Sequence, residues 1–210
     1  MKRLIFVIIL IITILNTCIF AQNNETTTAF RSLTKALANP EIVEHLYLNN
    51  INLDSLPADI GKLVNLKTLY LQHNRIKTLP PQLFELKNLE VLNISWNEIS
   101  YLSDDIGKLT SLKELNLYAN KIKSLPNSIG SLQNLEKLFI GNNEITTLPP
   151  EIIKLSNLRV LSLSNNKIKE LPENLEALSN LKTLDLQGTL LGYNKIKELQ
   201  KKLAKTNIIF

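Results

Sequence analysis

One spacing governs almost the whole chain: a pattern written LxxLxLxxNxI starts at Val43, Leu66, Leu89, Leu112, Leu135, Leu158 and Leu181, seven copies at a constant pitch of 23 residues. No insertion or deletion interrupts it. Each copy continues as LPxxIGxLxNL, as in Leu125, Pro126, Ile129, Leu132 and Leu135. A fixed period of 20 to 50 residues signals a stack of like units rather than a folded sphere, and it outranks any local reading of helix or strand.

The physics of one unit says why the units must stack. In "LxL" the period is two, so Leu69 and Leu71 point to one face of a short strand and Tyr70 to the other. A unit buries about seven apolar side chains worth at most ~3 kcal/mol each. Ordering its residues costs ~1.5 kcal/mol apiece, so a single unit cannot fold. Neighbours supply the missing burial and pair their strands in a parallel ladder. Stability then becomes a sum over adjacent units along a curved solenoid. The strands are expected on the concave side and the PxxIGxL segments on the convex return.

These motifs resemble those of leucine-rich repeat proteins over about four-fifths of the chain. The resemblance implies an α/β horseshoe solenoid with a parallel sheet on its concave face and short helical caps. The ends read accordingly. In "TTTAFRSLTKALANP", Phe30, Leu33 and Leu37 fall on one helical face before Asn39 and Pro40, giving an N-terminal cap helix within 22–42. The seven repeats occupy 43–191. In "YNKIKELQKKLAKTNIIF", Ile196, Leu199 and Leu203 keep helical spacing, giving a C-terminal cap helix within 192–210. Similar leading and trailing segments occur in the secreted leucine-rich repeat proteins of leptospires and related bacteria, and "LTKALANPEIVEHLYL" resembles their opening stretch.

Residues 1–21 read as a signal peptide: Lys2 and Arg3, then the apolar run "LIFVIILIITIL", then "IFA" before Gln22. Two alternatives stay open. "LNTC" resembles a loose lipobox ending at Cys18, and Leu4 to Phe20 approaches the length of a membrane anchor. Membrane attachment is expected only through one of these, and otherwise the protein is secreted or exposed on the cell envelope. Cys18 is the single cysteine, so cleavage after Ala21 leaves a domain without disulfides. Eukaryotic extracellular leucine-rich repeat proteins usually carry cysteine clusters in their caps, so the resemblance favours a bacterial origin. Asn24 and Asn93 head N-x-S/T sequons that read as coincidental.

Catalytic chemistry finds no foothold. There is no Gly-rich phosphate loop and no HExxH or CxxC spacing. His45 and His73 are the only histidines, and strand geometry sets them ~16 Å apart, too far to share a metal. No enzyme, cofactor or metal site is expected.

Recurring polar columns have structural explanations. Asn74, Asn97, Asn120, Asn143 and Asn166 repeat at one register and are expected to form an internal ladder to backbone groups, with Ile51 and Thr189 replacing asparagine in the terminal units. Arg75, Glu98, Lys121, Glu144 and Lys167 alternate in sign along a solvated edge. What remains is the concave surface beside the framework leucines, where five aromatics fall: Tyr47, Tyr70, Trp96, Tyr118 and Phe139. With His45, His73 and Asn116 they form the candidate site for a protein ligand, since aromatics inside a polar rim make binding hot spots. Ser95, Ser162, Ser164 and Asp185 occupy equivalent positions and are expected to face the same space.

The net charge is +5, and removing Lys2 and Arg3 leaves +3. Much of the excess lies in Lys195, Lys197, Lys201, Lys202 and Lys205, a basic cap that could hold a glycosaminoglycan or another acidic surface. No basic stripe accompanies the aromatics, so nucleic acid is not expected as a partner. The leptospiral resemblance suggests a host-facing role such as adhesion. The rival role is a scaffold for the bacterium's own envelope proteins.

Overall fold

The computed structural model describes residues 28–210. The leader, Cys18, the Ala21 junction and Asn24 lie outside the described residues.

Nine parallel strands form one open sheet in strict chain order. They are β1 (Ala29–Phe30), β2 (His45–Tyr47), β3 (Thr68–Tyr70), β4 (Val91–Asn93), β5 (Glu114–Asn116), β6 (Lys137–Phe139), β7 (Val160–Ser162), β8 (Thr183–Asp185) and β9 (Asn207–Ile209). Each pair from β2 to β8 keeps one register, such as Leu69 opposite Leu92 and Leu92 opposite Leu115. The constant 23-residue pitch leaves no other pairing that keeps the leucines inward, because slipping one residue would turn every side chain to the other face. Short 3-10 helices form the opposite layer, for example Ala58–Lys62, Pro81–Glu85, Asp104–Lys108, Asn127–Ser131 and Pro150–Lys154. Strands stack at ~4.8 Å while these coils need more room, so the sheet becomes the inner, concave side of the arc.

The core lies between the layers as a continuous column of leucine and isoleucine. Leu69, Leu71, Ile76, Leu83, Leu86 and Leu89 are fully buried, and equivalent residues repeat along the chain. At its polar margin runs the asparagine column. Asn120 Nδ2 donates to the Ile94 and Leu117 carbonyls at 3.0 and 3.1 Å, and its Oδ1 accepts from the Ile99 amide at 3.0 Å. Asn74, Asn97, Asn143 and Asn166 bind corresponding groups of their own turn and of the preceding repeat. Where the last repeat lacks the asparagine, Thr189 Oγ1 takes over part of the task and donates to the Leu186 carbonyl at 2.7 Å.

Two further columns are absent from the sequence reading. Asn65, Asn88, Asn134, Asn157 and Asn180 each donate to a carbonyl of the preceding repeat at 2.7 to 2.9 Å. Glu44 pairs with Lys67 at 2.9 Å, Glu90 with Lys113 at 2.8 Å and Glu136 with Arg159 at 3.7 Å, forming a second alternating charge column. In the column that does alternate by eye, ion pairs form between Glu98 and Lys121 and between Glu144 and Lys167.

Both ends differ from simple helical caps. Phe30 belongs to β1, which pairs with β2, while the helix is only α1 (Leu33–Ala38), capped by the Ser32 hydroxyl accepting from the Lys35 amide. At the other end, α2 (Tyr193–Lys202) buries Ile196, and the chain then returns as β9, with Ile208 opposite Leu184. Adding strands lets each end occupy the hydrogen-bonding edge of the neighbouring repeat, which a helix cannot do. Among the described residues no helix is long and apolar enough to cross a membrane.

Candidate functional site

Alternate residues of each strand leave the core and stand on the concave face. His45 opens β2, where it lies opposite Thr68. Tyr47 and Tyr70 close β2 and β3, directly opposite each other. Because adjacent strands hold them at sheet spacing, their rings stack, with centroids 5.2 Å apart and planes 8° from parallel. Burial pushes the Tyr47 phenol pKa up, opposed in part by the charge of Arg31.

A second aromatic group forms where the strands end. His73 and Trp96 lie 5.4 Å apart and 14° from parallel, and Tyr118 meets Trp96 at 5.9 Å with a tilt of 58°. His73 and Trp96 have φ of 57° and 55°. The corresponding residues of other repeats are Asn50, Ala119, Asn142, Asn165 and Gly188, all with positive φ. Asparagine and glycine suit this left-handed turn, whereas a large aromatic is strained there. Trp96 is nevertheless 49% exposed, so the strain is not offset by deep burial. Tyr118 rests over the next repeat because that repeat has Gly141, where an added Cβ would come within 3.1 Å of the Tyr118 ring.

The other predicted residues divide. Phe139 closes β6 on the same face but makes no ring contact among the described residues. Asn116 closes β5, and its Oδ1 accepts from the Tyr118 amide at 3.0 Å. Asn93 does likewise one strand earlier, accepting from the Ser95 amide and hydroxyl at 3.1 and 2.7 Å.

Farther along, the face closes, contrary to the expectation that its serines and Asp185 would meet a partner. Ser162, Ser164 and Asp185 are buried, as is Ser95 beside Asn93 in the third repeat. The Ser162 hydroxyl donates to Asp185 Oδ2 at 3.0 Å, and Asp185 Oδ1 accepts from the Gln187 amide at 3.1 Å. Small side chains let the C-terminal repeats pack shut, so the open aromatic surface belongs to the N-terminal half. Sequence reasoning also passed over Arg31 beside Tyr47 and the left-handed turn. The recurrent Asn and Gly at Asn50, Asn142, Asn165 and Gly188 were the available signal for that turn.

Among the described residues no group of three or more histidine, cysteine or acidic side chains is placed to hold a metal. The arrangement offers ring edges, amides and imidazoles, which suit non-covalent recognition.

A leucine-rich repeat region model matches residues 35–121 and 100–161, and a leucine rich repeat model matches residues 133–191. Similar solved structures include a leucine-rich repeat protein of Leptospira interrogans, 28% identical over 86% of this chain and 57% of its own, with a TM-score of 0.59. An internalin of Listeria monocytogenes is 26% identical over 74% of this chain and 44% of its own, with a TM-score of 0.61. A plant peptide hormone receptor in complex with RGF2 is 28% identical over 70% of this chain and 24% of its own, also with a TM-score of 0.61. The chain thus spans less than two thirds of the length of each. No curated protein matches its sequence.

Proposed function

The chain belongs to the leucine-rich repeat family, and from that premise we propose that it is a non-enzymatic module, exported after cleavage near Ala21, that holds a protein ligand on the N-terminal half of its concave face. One observation carries the proposal. The stacked pair His73 and Trp96 occupies a left-handed turn that disfavours large side chains, and Trp96 remains half exposed there. Strain of this kind gathers at functional sites, where it is part of the design. Tyr47, Tyr70 and Tyr118 extend the apolar surface along neighbouring strands, with Phe139 just past its C-terminal margin, in keeping with a hot spot of aromatic anchors.

A host-facing role is supported by similarity to proteins of Leptospira interrogans and Listeria monocytogenes. The test is capture from host extracellular proteins and, separately, from the bacterium's own envelope extract. Parent protein is compared with a variant carrying Tyr47, Tyr70, Trp96, Tyr118 and Phe139 all changed to alanine. A host protein retained by the parent and lost by the folded variant supports the proposal. Capture of an envelope protein alone replaces it with an internal scaffold, and equal capture by both forms removes the aromatic face from the account.

A further inference from the structure

We propose that this face is a hydrogen-bond donor surface that recognises an acidic peptide segment of the partner, an inference that rests on the concave-face binding proposed above. The first ground is the orientation of the rings. An aromatic ring is negative on its face and positive at its edge. Tyr47 lies flat on Tyr70, and His73 lies flat on Trp96, so the faces between them are turned to one another. A cation finds the inner faces of each pair covered, and the ring edges beside them are positive.

The second ground is the pair of amides at the centre of the face. Asn93 and Asn116 stand opposite each other on β4 and β5. Each Oδ1 is held by a backbone N–H, from Ser95 and Tyr118 respectively. Since a backbone N–H can only donate, the oxygen of each amide is fixed inward, and the Nδ2 donors have no protein partner among the described residues. Two neighbouring amides therefore present donors at sheet spacing.

The charged groups agree with this polarity. Glu114 on β5 is paired with Lys137 on β6 at 3.1 Å. Asp185 is 4% exposed and already accepts from the Ser162 hydroxyl and the Gln187 amide. At the strand positions that face the concave side from β2 to β6 the other basic or acidic side chain is His45, with His73 at the turn and Arg31 acting on the Tyr47 phenol, while Glu44, Glu90 and Glu98 at the margins are paired with Lys67, Lys113 and Lys121. A ligand must thus bring acceptors, and carboxylates make the stronger, charge-assisted bonds. A peptide fits better than a sulfated polysaccharide, because apolar Val91, Phe139 and ring edges lie beside the donors while the lysine cluster is on α2.

Asp185 supplies the means of testing this. It occupies the register of Asn93 and Asn116 and accepts the same i+2 backbone bond, so N93D/N116D keeps the fold while replacing two donors with two acceptors. The full chain is used to select binders from a displayed random peptide library. The variants are checked by circular dichroism. Enriched peptides are expected to carry an excess of Asp and Glu and to bind N93D/N116D weaker by about tenfold or more. Peptides without acidic excess, or affinity retained within about twofold in N93D/N116D, overturn the donor surface. If such peptides still fail to bind the five-alanine variant, the concave site survives that loss. If they bind the five-alanine variant as well as the parent, the concave site itself is wrong. Heparin retention that N93D/N116D abolishes, with no selection of acidic peptides, would replace the peptide by a sulfated polysaccharide.

Discussion

Asn120 bridges two repeats, sharing the Ile94 carbonyl with Asn97 and the Leu117 carbonyl with Asn143 and holding the Ile99 amide alone. Its replacement by leucine strands the Ile99 amide, while the Ile94 and Leu117 carbonyls each lose one of two amide donors and keep the other, from Asn97 and Asn143. Asn120→Leu is therefore expected to lower stability by about 1 to 3 kcal/mol, read as a drop in the denaturant midpoint. An unchanged midpoint would refute the ladder. Trp96 poses the opposite case. Trp96→Asn removes a left-handed strain of about 1 to 2 kcal/mol and loses ring contacts worth about 0.5 to 1.5 kcal/mol. Stability should stay within about 1 kcal/mol of the parent by the same measurement while ligand capture falls. A variant that merely unfolds would make Trp96 a structural residue. The asparagine column was legible because one residue recurs every 23 positions. The orientation of Asn93 and Asn116 was not, since it depends on which backbone N–H reaches the amide oxygen. The burial of Ser162 and Asp185 was hidden for a related reason. Strand alternation tells which face a side chain takes but not whether small neighbours close over it.

Among the elements, the 3-10 segments are fitted to one another through glycine. A Cβ at Gly130 would come within 2.5 Å of the Glu151 carbonyl oxygen and 2.8 Å of its Cβ, and Gly61 and Gly107 meet Gln82 and Ser128 in the same way. Gly130→Ala should cost about 1 to 3 kcal/mol through overpacking, visible as a lower melting temperature. The ion-pair columns predict a pH response. Hydrogen bonds from Lys67 and Lys121 hold the Glu44 and Glu98 carboxyls below the usual range, while Glu90 and Glu85 raise the Lys113 and Lys108 pKa values. A depressed carboxyl adds stability above its unfolded value of about 4.3 and loses it as pH falls through the lower folded value. A raised lysine adds stability below about 10.4 and loses it as pH rises through the higher folded value. A broad plateau between these limits is expected in the denaturation midpoint, with small slopes outside it because every pair is exposed. A maximum confined to one narrow pH would contradict this. The convex segments were legible from PxxIGxL, yet β1 and β9 were not. Phe30 has the spacing of a helical face, and a two-residue strand exists only because β2 offers it an edge. Ile208 and Ile209 are β-branched and follow a lysine-rich helix, a cue for an edge strand that helical periodicity obscured.

At the scale of the whole molecule, every strand pair from β2 to β8 repeats the same 23-residue offset, so repeats are interchangeable parts of the ladder. Deleting residues 112–134, one full period, should leave a cooperative parallel sheet one strand shorter. The denaturant m-value should fall with the surface lost, and the midpoint should fall too. A chain that no longer folds would show that the ends depend on more than their nearest neighbours. The architecture was legible because it follows from pitch alone, whereas the restriction of the open face to one half required knowing how neighbouring side chains fill space. One departure from pitch has reach beyond its own repeat. Phe84 stands where Gly61, Gly107 and Gly130 stand in other repeats, and it is buried in the outer layer. It acts as a keystone set into the outside of an arch. It belongs to the repeat that carries His73 on its inner side, and the His73 ring stacks on Trp96 of the next repeat.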